Sequence, residues 1–175
     1  MKAFFGLFLL ATLTCAHFTL DYPYTTGFDE DQEPNAPCGG FPPSLSNLTD
    51  YPLSGGEIAV DLHHPEALFL FRAQLMNSDS WVNLSDGFVD MVGFGEGCIH
   101  ALSVPSNWSG QVGVIQVICQ PPDGILYQVL PSSFSSNRSA PGSNSLKALQ
   151  EHRAFVSTVV KLRSRIRPSP SPFPT

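Results

Sequence analysis

The sequence predicts an all-β fold, an antiparallel β-sandwich, and three observations carry this reading. Short apolar runs, several with period-2 alternation, recur at roughly 10–20-residue spacing. Glycine, proline and Pro-Asp-Gly turn signals separate them. Before residue 128 no stretch carries a convincing helical period.

Taken in order, residues 1–16 read as a secretory leader. Lys2 supplies the positive start, and "FFGLFLLATL", Phe4 to Leu13, is too short to span a bilayer. Thr14 and Ala16 are the small residues of a cleavage site, so the mature chain is expected to begin at His17 and to be secreted. From His17 to Asp50 the composition is rich in Pro, Gly and Asp and reads as irregular loop. Ile58, Val60 and Leu62 then alternate with polar neighbours as in a half-buried strand, and "ALFLFRAQL" is a second strand-length run. Pro65 between them forces a bend just after His63 and His64.

"GFVDMVGFGEGCIHALSVP" offers further short strands with glycine turns. "GQVGVIQVICQ" carries β-branched residues at Val112, Val114, Ile115, Val117 and Ile118, and "PPDGILYQ" supplies a turn and the start of one more strand. After Gln128 the texture changes. "PSSFSSNRSAPGSNS" has loop composition, "SLKALQEHRAFVSTVVKLRSRI" fits a basic amphipathic helix, and "RPSPSPFPT" fits no regular structure. The expected organisation is therefore a leader over 1–16, a sandwich over 17–128 whose last strand is expected to be missing, and an atypical basic Ser/Pro-rich tail over 129–175, disordered or partly helical. No hydrophobic tail closes the chain, so no membrane-anchor signal is expected.

The net charge of −6 is unevenly spread. Residues 1–128 hold fourteen of the fifteen acidic residues, and residues 129–175 hold seven of the nine basic ones. An acidic body lacks the basic patches that nucleic acid or an anionic membrane would need, so neither is an expected partner. Sequons at Asn47, Asn83, Asn107 and Asn137 fit passage through a secretory route and a glycoprotein. Cys38, Cys98 and Cys119 remain after the leader, so in an oxidising compartment either one disulfide and one leftover thiol are expected, or a partner cysteine is missing. With no CxxC pair, a zinc–cysteine site is not expected.

The chemistry-bearing feature is the junction at His17. A terminal histidine offers an amine and an imidazole on one residue, and an α-amine titrating at about 7.7–8.0 gives up its proton readily to a metal. A second imidazole would complete a planar three-nitrogen set of the kind that favours Cu(II). His63 and His64 both qualify. His64 is preferred because it shares the parity of Ile58, Val60 and Leu62, and because the residue before a proline is biased toward extended backbone. The plainer reading is a chance cleavage product and a surface turn. His100 reads as structural, and His152 is given no role.

"HFTLDYPYTTGFDEDQEPNAPCGGF", "YPLSGGEIAVDLHHPEA", "GFGEGCI" and "PDGILYQ", in that order after a leader, resemble the fungal copper-binding family similar to lytic polysaccharide monooxygenases, which includes the copper acquisition factors. The resemblance covers about residues 17 to 128. It implies an immunoglobulin-like sandwich holding one copper ion, as Cu2+, through a histidine brace. It also implies ligation by His17, His64 and an aspartate, for which Asp123 in the "DGxLY" block is the best match. Asp61 and Asp90 fall within strands and are less suitable.

The implied role is extracellular copper capture by a monomer for acquisition or homeostasis, with a membrane copper transporter as partner; family members are often held at the cell surface by a GPI anchor. A copper-dependent polysaccharide monooxygenase is the alternative, and an adhesion module a further one. One departure stands out. Family members follow "LYQ" with a cysteine and a further strand, whereas this chain reads "LYQVLPSSFSSNRS". That suggests that residues from about 129 onward derive from a different splice.

Overall fold

The computed structural model describes residues 17–136, folded as nine strands. In chain order these are β1 (Phe18–Tyr22), β2 (Thr49–Pro52), β3 (Gly56–Leu62), β4 (Glu66–Leu75) and β5 (Val82–Asn83), then β6 (Val89–Val92), β7 (Gly95–Leu102), β8 (Val112–Gln120) and β9 (Leu126–Ser135). A single 3-10 turn at Ser106–Trp108 precedes β8. The strands form two sheets. The smaller has the order β1-β3-β7; the larger runs β2-β9-β8-β4-β5, with β6 also pairing with β4.

Alternation decides which face meets the core. In β3, Ile58, Val60 and Leu62 are buried while their neighbours are only partly covered. Phe69, Phe71 and Ala73 of β4 and Ile115, Val117 and Cys119 of β8 answer them from the other sheet. Phe18 meets Phe69 edge-on at 5.6 Å between ring centroids, which ties the first residue of β1 to the far sheet. Each of the large aliphatic and aromatic side chains among them stabilises the fold by about 1.5–3 kcal/mol when fully buried. The expected sandwich is the observed one, with one difference: β2 pairs with β9 in parallel. Every other pair is antiparallel.

Three further expectations are corrected. The segment from His17 to Asp50, read as loop, holds β1 and the start of β2. In "FTLDY" Phe18 and Leu20 alternate with polar residues, a strand signal masked by the surrounding Pro and Gly. The boundary at Gln128 falls inside β9, which continues to Ser135 and pairs with both β8 and β2. Val129, Leu130 and Phe134 are buried there, and the run 128–132 is covered on both faces, so burial and not alternation overrides the Ser/Pro texture of "VLPSSFS". Finally, the expected disulfide does not form among the described residues, where Cys38, Cys98 and Cys119 are free thiols. Cys119 points into the core, whereas Cys98 pairs with Ala59 on the opposite parity to the buried Ile58 and Val60, on the outer face of the small sheet. The leader, Asn137 and the expected helix in the basic segment lie outside the described residues.

Candidate metal centre

The register of β1 on β3 determines the surroundings of His17. Phe18 pairs with Leu62, so His17 and His63 come opposite one another, and the His63 N–H donates to the His17 carbonyl oxygen at 3.0 Å. Directly paired residues project to the same side. The two imidazoles accordingly stack, with centroids 4.3 Å apart and planes 22° from parallel. Stacked rings expose their nitrogens sideways rather than toward a shared centre. Nε2 of His63 lies 3.4 Å from Oδ2 of Asp61, and Nε2 of His17 lies 3.5 Å from Oε1 of Glu30. Phe28 covers another side of the His17 ring at 5.5 Å.

His64 goes the other way. One residue past His63, it continues the inward parity of Leu62 and is only 4% exposed. Its Nε2 lies 3.7 Å from Oδ1 of Asp123, which stands in the turn between β8 and β9. That turn is closed by the Gly124 N–H reaching the Pro121 carbonyl. The structure thus brings His64 and Asp123 together and puts His63, not His64, against the His17 ring. Asp61 and Asp90 lie in β3 and β6, as expected of strand residues.

Two buried nitrogens in this region have no hydrogen-bond partner: Nδ1 of His17 and Nε2 of His64. A buried imidazole nitrogen without a partner loses its hydration and gains nothing in return. Such an atom is the feature that a metal ion would satisfy, one from each histidine. Of the three expected ligands the structure pairs His64 with Asp123, and among the described residues the ligand atoms of His17, His64 and Asp123 do not all come within 4.8 Å of one another.

The comparisons with known proteins bear on the same region. A family model described as copper acquisition factor BIM1-like matches residues 15–146. The chain belongs to the BIM1-like copper acquisition factor family. Copper acquisition factor BIM1 of Cryptococcus neoformans is 39% identical over 64 residues, covering 37% of this chain and 28% of that protein. The lytic polysaccharide monooxygenase-like protein X325 of Yarrowia lipolytica is 32% identical over 135 residues, 70% of this chain and 50% of that protein. The chain therefore spans half or less of the length of these curated relatives.

In this BIM1-like domain two residues that the sequence did not single out hold the His17 end in place. Gln128 is buried in β9, and its Nε2 donates to the Phe18 carbonyl at 2.7 Å and to Oε1 of Glu33 at 2.8 Å. Glu33 is itself 1% exposed and also accepts a hydrogen bond from the Phe18 backbone. Its backbone carbonyl accepts from the Tyr127 N–H at 2.9 Å. Burial pushes the Glu33 carboxyl up to about 7, against a smaller lowering by the Gln128 amide and the Phe18 N–H.

Gly39 permits this close docking. Its φ is +60°, and any side chain there would collide with the Tyr127 carbonyl oxygen. Within "DEDQEPNAPC" nothing in composition separates Glu33 from its exposed acidic neighbours; only the fold does so.

Proposed function

We propose that this protein holds a single Cu(II) ion outside the cell, through the terminal amine and Nδ1 of His17 and Nε2 of His64, with the Asp123 carboxylate beside them. The observation that carries this reading is the pair of partnerless buried nitrogens, one on each histidine. Membership of the BIM1-like family and the names of the relatives support copper as the cargo. Secretion and removal of residues 1–16 are part of the proposal, since only a chain starting at His17 has the free amine.

Holding, rather than oxidising a polysaccharide, is the use that the chemistry favours. A carboxylate adds negative charge and a hard oxygen donor next to the metal, which stabilises Cu(II) over Cu(I) and makes redox cycling harder. A polysaccharide oxidase also needs free aromatic faces. Trp108 is 8% exposed and packs on Phe134 at 5.3 Å, and Trp81 lies beneath the Arg72 guanidinium at 4.6 Å. Asn47, Asn83 and Asn107 are all exposed, consistent with a glycosylated extracellular protein. A membrane copper transporter is the class of partner that such a carrier would serve.

The test compares protein beginning at His17 with the same protein extended by one glycine, titrated with Cu(II) and followed by electron paramagnetic resonance. The authentic start should give a one-to-one spectrum with nitrogen couplings, and the extension should weaken binding by at least about tenfold. Equal affinity would remove the amine from the ligand set and overturn the reading. Copper-loaded protein given a reductant and a glycan panel should release no oxidised oligosaccharides.

A further inference from the structure

A second group of ligand-bearing side chains lies apart from His17, His64 and Asp123. Glu57 stands on β3, and Cys98 and His100 stand on β7, the neighbouring strand of the small sheet. The three are brought together by strand pairing, with Ala59 opposite Cys98 and a register shift between Gly56 and Ile58. Nδ1 of His100 and Oε1 of Glu57 are 3.0 Å apart, and the Cys98 sulfur completes a set whose ligand atoms all lie within 4.8 Å of one another. Among the described residues this is the one place where three potential metal-ligand atoms converge so closely. It involves residues from two strands, so no short spacing motif announces it. The lack of a CxxC pair in the sequence therefore says nothing against it.

We propose that Glu57, Cys98 and His100 form a second metal site, one that takes Zn2+ through carboxylate, thiolate and imidazole. Zinc bonds of about 2.0–2.3 Å in a tetrahedron set neighbouring ligand atoms about 3.3–3.7 Å apart, so rotation of the Cys98 and Glu57 side chains closes the set without moving the strands. One soft sulfur, one imidazole and one carboxylate match a d10 ion with no geometric demand of its own, whereas Mg2+ and Ca2+ require oxygen donors. The Glu57 and His100 side chains are 43% and 62% exposed, which leaves the fourth position to water. This is an open three-ligand site rather than a closed structural one.

The test uses the full chain and Co2+ as a spectroscopic stand-in for Zn2+. One equivalent of Co2+ should produce the near-ultraviolet thiolate-to-cobalt absorption, and Zn2+ should abolish it by displacement. Cys98→Ser should remove the band, and His100→Ala, at an exposed position, should weaken Co2+ binding at least about tenfold. Cys38→Ser and His64→Phe should leave the band unchanged, which separates this site from the proposed copper centre. Absence of the band in the unaltered protein, or its survival in Cys98→Ser, would overturn the proposal.

Discussion

Nε2 of His64 and Oδ1 of Asp123 face each other across 3.7 Å, one from the β3–β4 connection and one from the β8–β9 turn. The separation is too long for a hydrogen bond and short enough for charge to act across it. The imidazole is buried and the carboxylate is 46% exposed, so the pair spans the boundary between core and solvent. A cation seated there would draw a neutral nitrogen donor from within and a negative oxygen from the rim.

Asp123→Asn keeps the size of the side chain and the turn but removes the charge. Cu(II) affinity should fall about tenfold, while Cu(I) affinity should change less, because the lost charge matters most to the higher oxidation state. Competitive titration with a chelator of each oxidation state checks this. An equal loss for both ions would mean that Asp123 acts sterically and not by charge.

The two adjacent histidines can be told apart. His63→Ala removes an exposed ring that stacks on His17 but supplies no buried partnerless nitrogen, so one-to-one Cu(II) binding should persist with a loss of less than about tenfold. His64→Phe fills the same buried volume without a donor and should remove one nitrogen coupling from the copper spectrum. The reverse pattern would transfer the ligand role to His63.

How far the sequence anticipates this arrangement depends on which force places each residue. The parity of Ile58, Val60 and Leu62 is local, and it correctly predicts that His64 turns inward. The stacking of His63 on His17 depends on the β1–β3 register, a pairing between segments about 45 residues apart that no local pattern encodes. Gln128 reaches the Phe18 carbonyl across 110 residues and Glu33 across 95, and no local pattern encodes either bond. Glu57, Cys98 and His100 lie on one outer face for the same non-local reason, and for this reason His100 reads from sequence as merely structural.

Glu33 makes stability depend on pH in a calculable direction. In the unfolded chain its carboxyl titrates near 4.5, and in the fold burial raises it to about 7. Between those values the folded protein keeps a proton that the unfolded chain has released, so this contribution is complete below about 4.5 and is lost as pH rises through 7. Going from pH 4.5 to pH 8 should cost about 3 kcal/mol from this group. Glu33→Gln retains an acceptor for the Gln128 amide and should flatten that slope, becoming more stable than the parent at pH 8. Chemical denaturation across the range, without added metal, provides the measurement; parallel slopes would show that Glu33 does not titrate in the fold.

Gln128 links the same network to the metal end. Gln128→Leu leaves the Phe18 carbonyl and Oε1 of Glu33 without their donor inside the protein, at a cost of about 1–3 kcal/mol for each buried group left unsatisfied. Because Phe18 follows His17 directly, the loosened strand should also weaken Cu(II) binding. A variant that loses stability and keeps its full affinity would separate the strand anchor from the site.

The extent of β9 gives the sharpest contrast between sequence texture and fold. If the sandwich ended at Gln128, Phe134 would belong to a tail and its loss would be silent. Instead it is 1% exposed, packs against Trp108, and sits on a strand hydrogen-bonded on both sides. Phe134→Ala should therefore destabilise the protein by about 3–5 kcal/mol, the cost of deleting a buried aromatic ring and leaving a cavity. Ser136, exposed just beyond the strand, is the internal control, and Ser136→Ala should shift stability by less than about 0.5 kcal/mol. Equal and negligible effects for the two substitutions would return the boundary to residue 128; a large effect for Phe134 alone makes "VLPSSFS" part of the core, whatever its composition suggests.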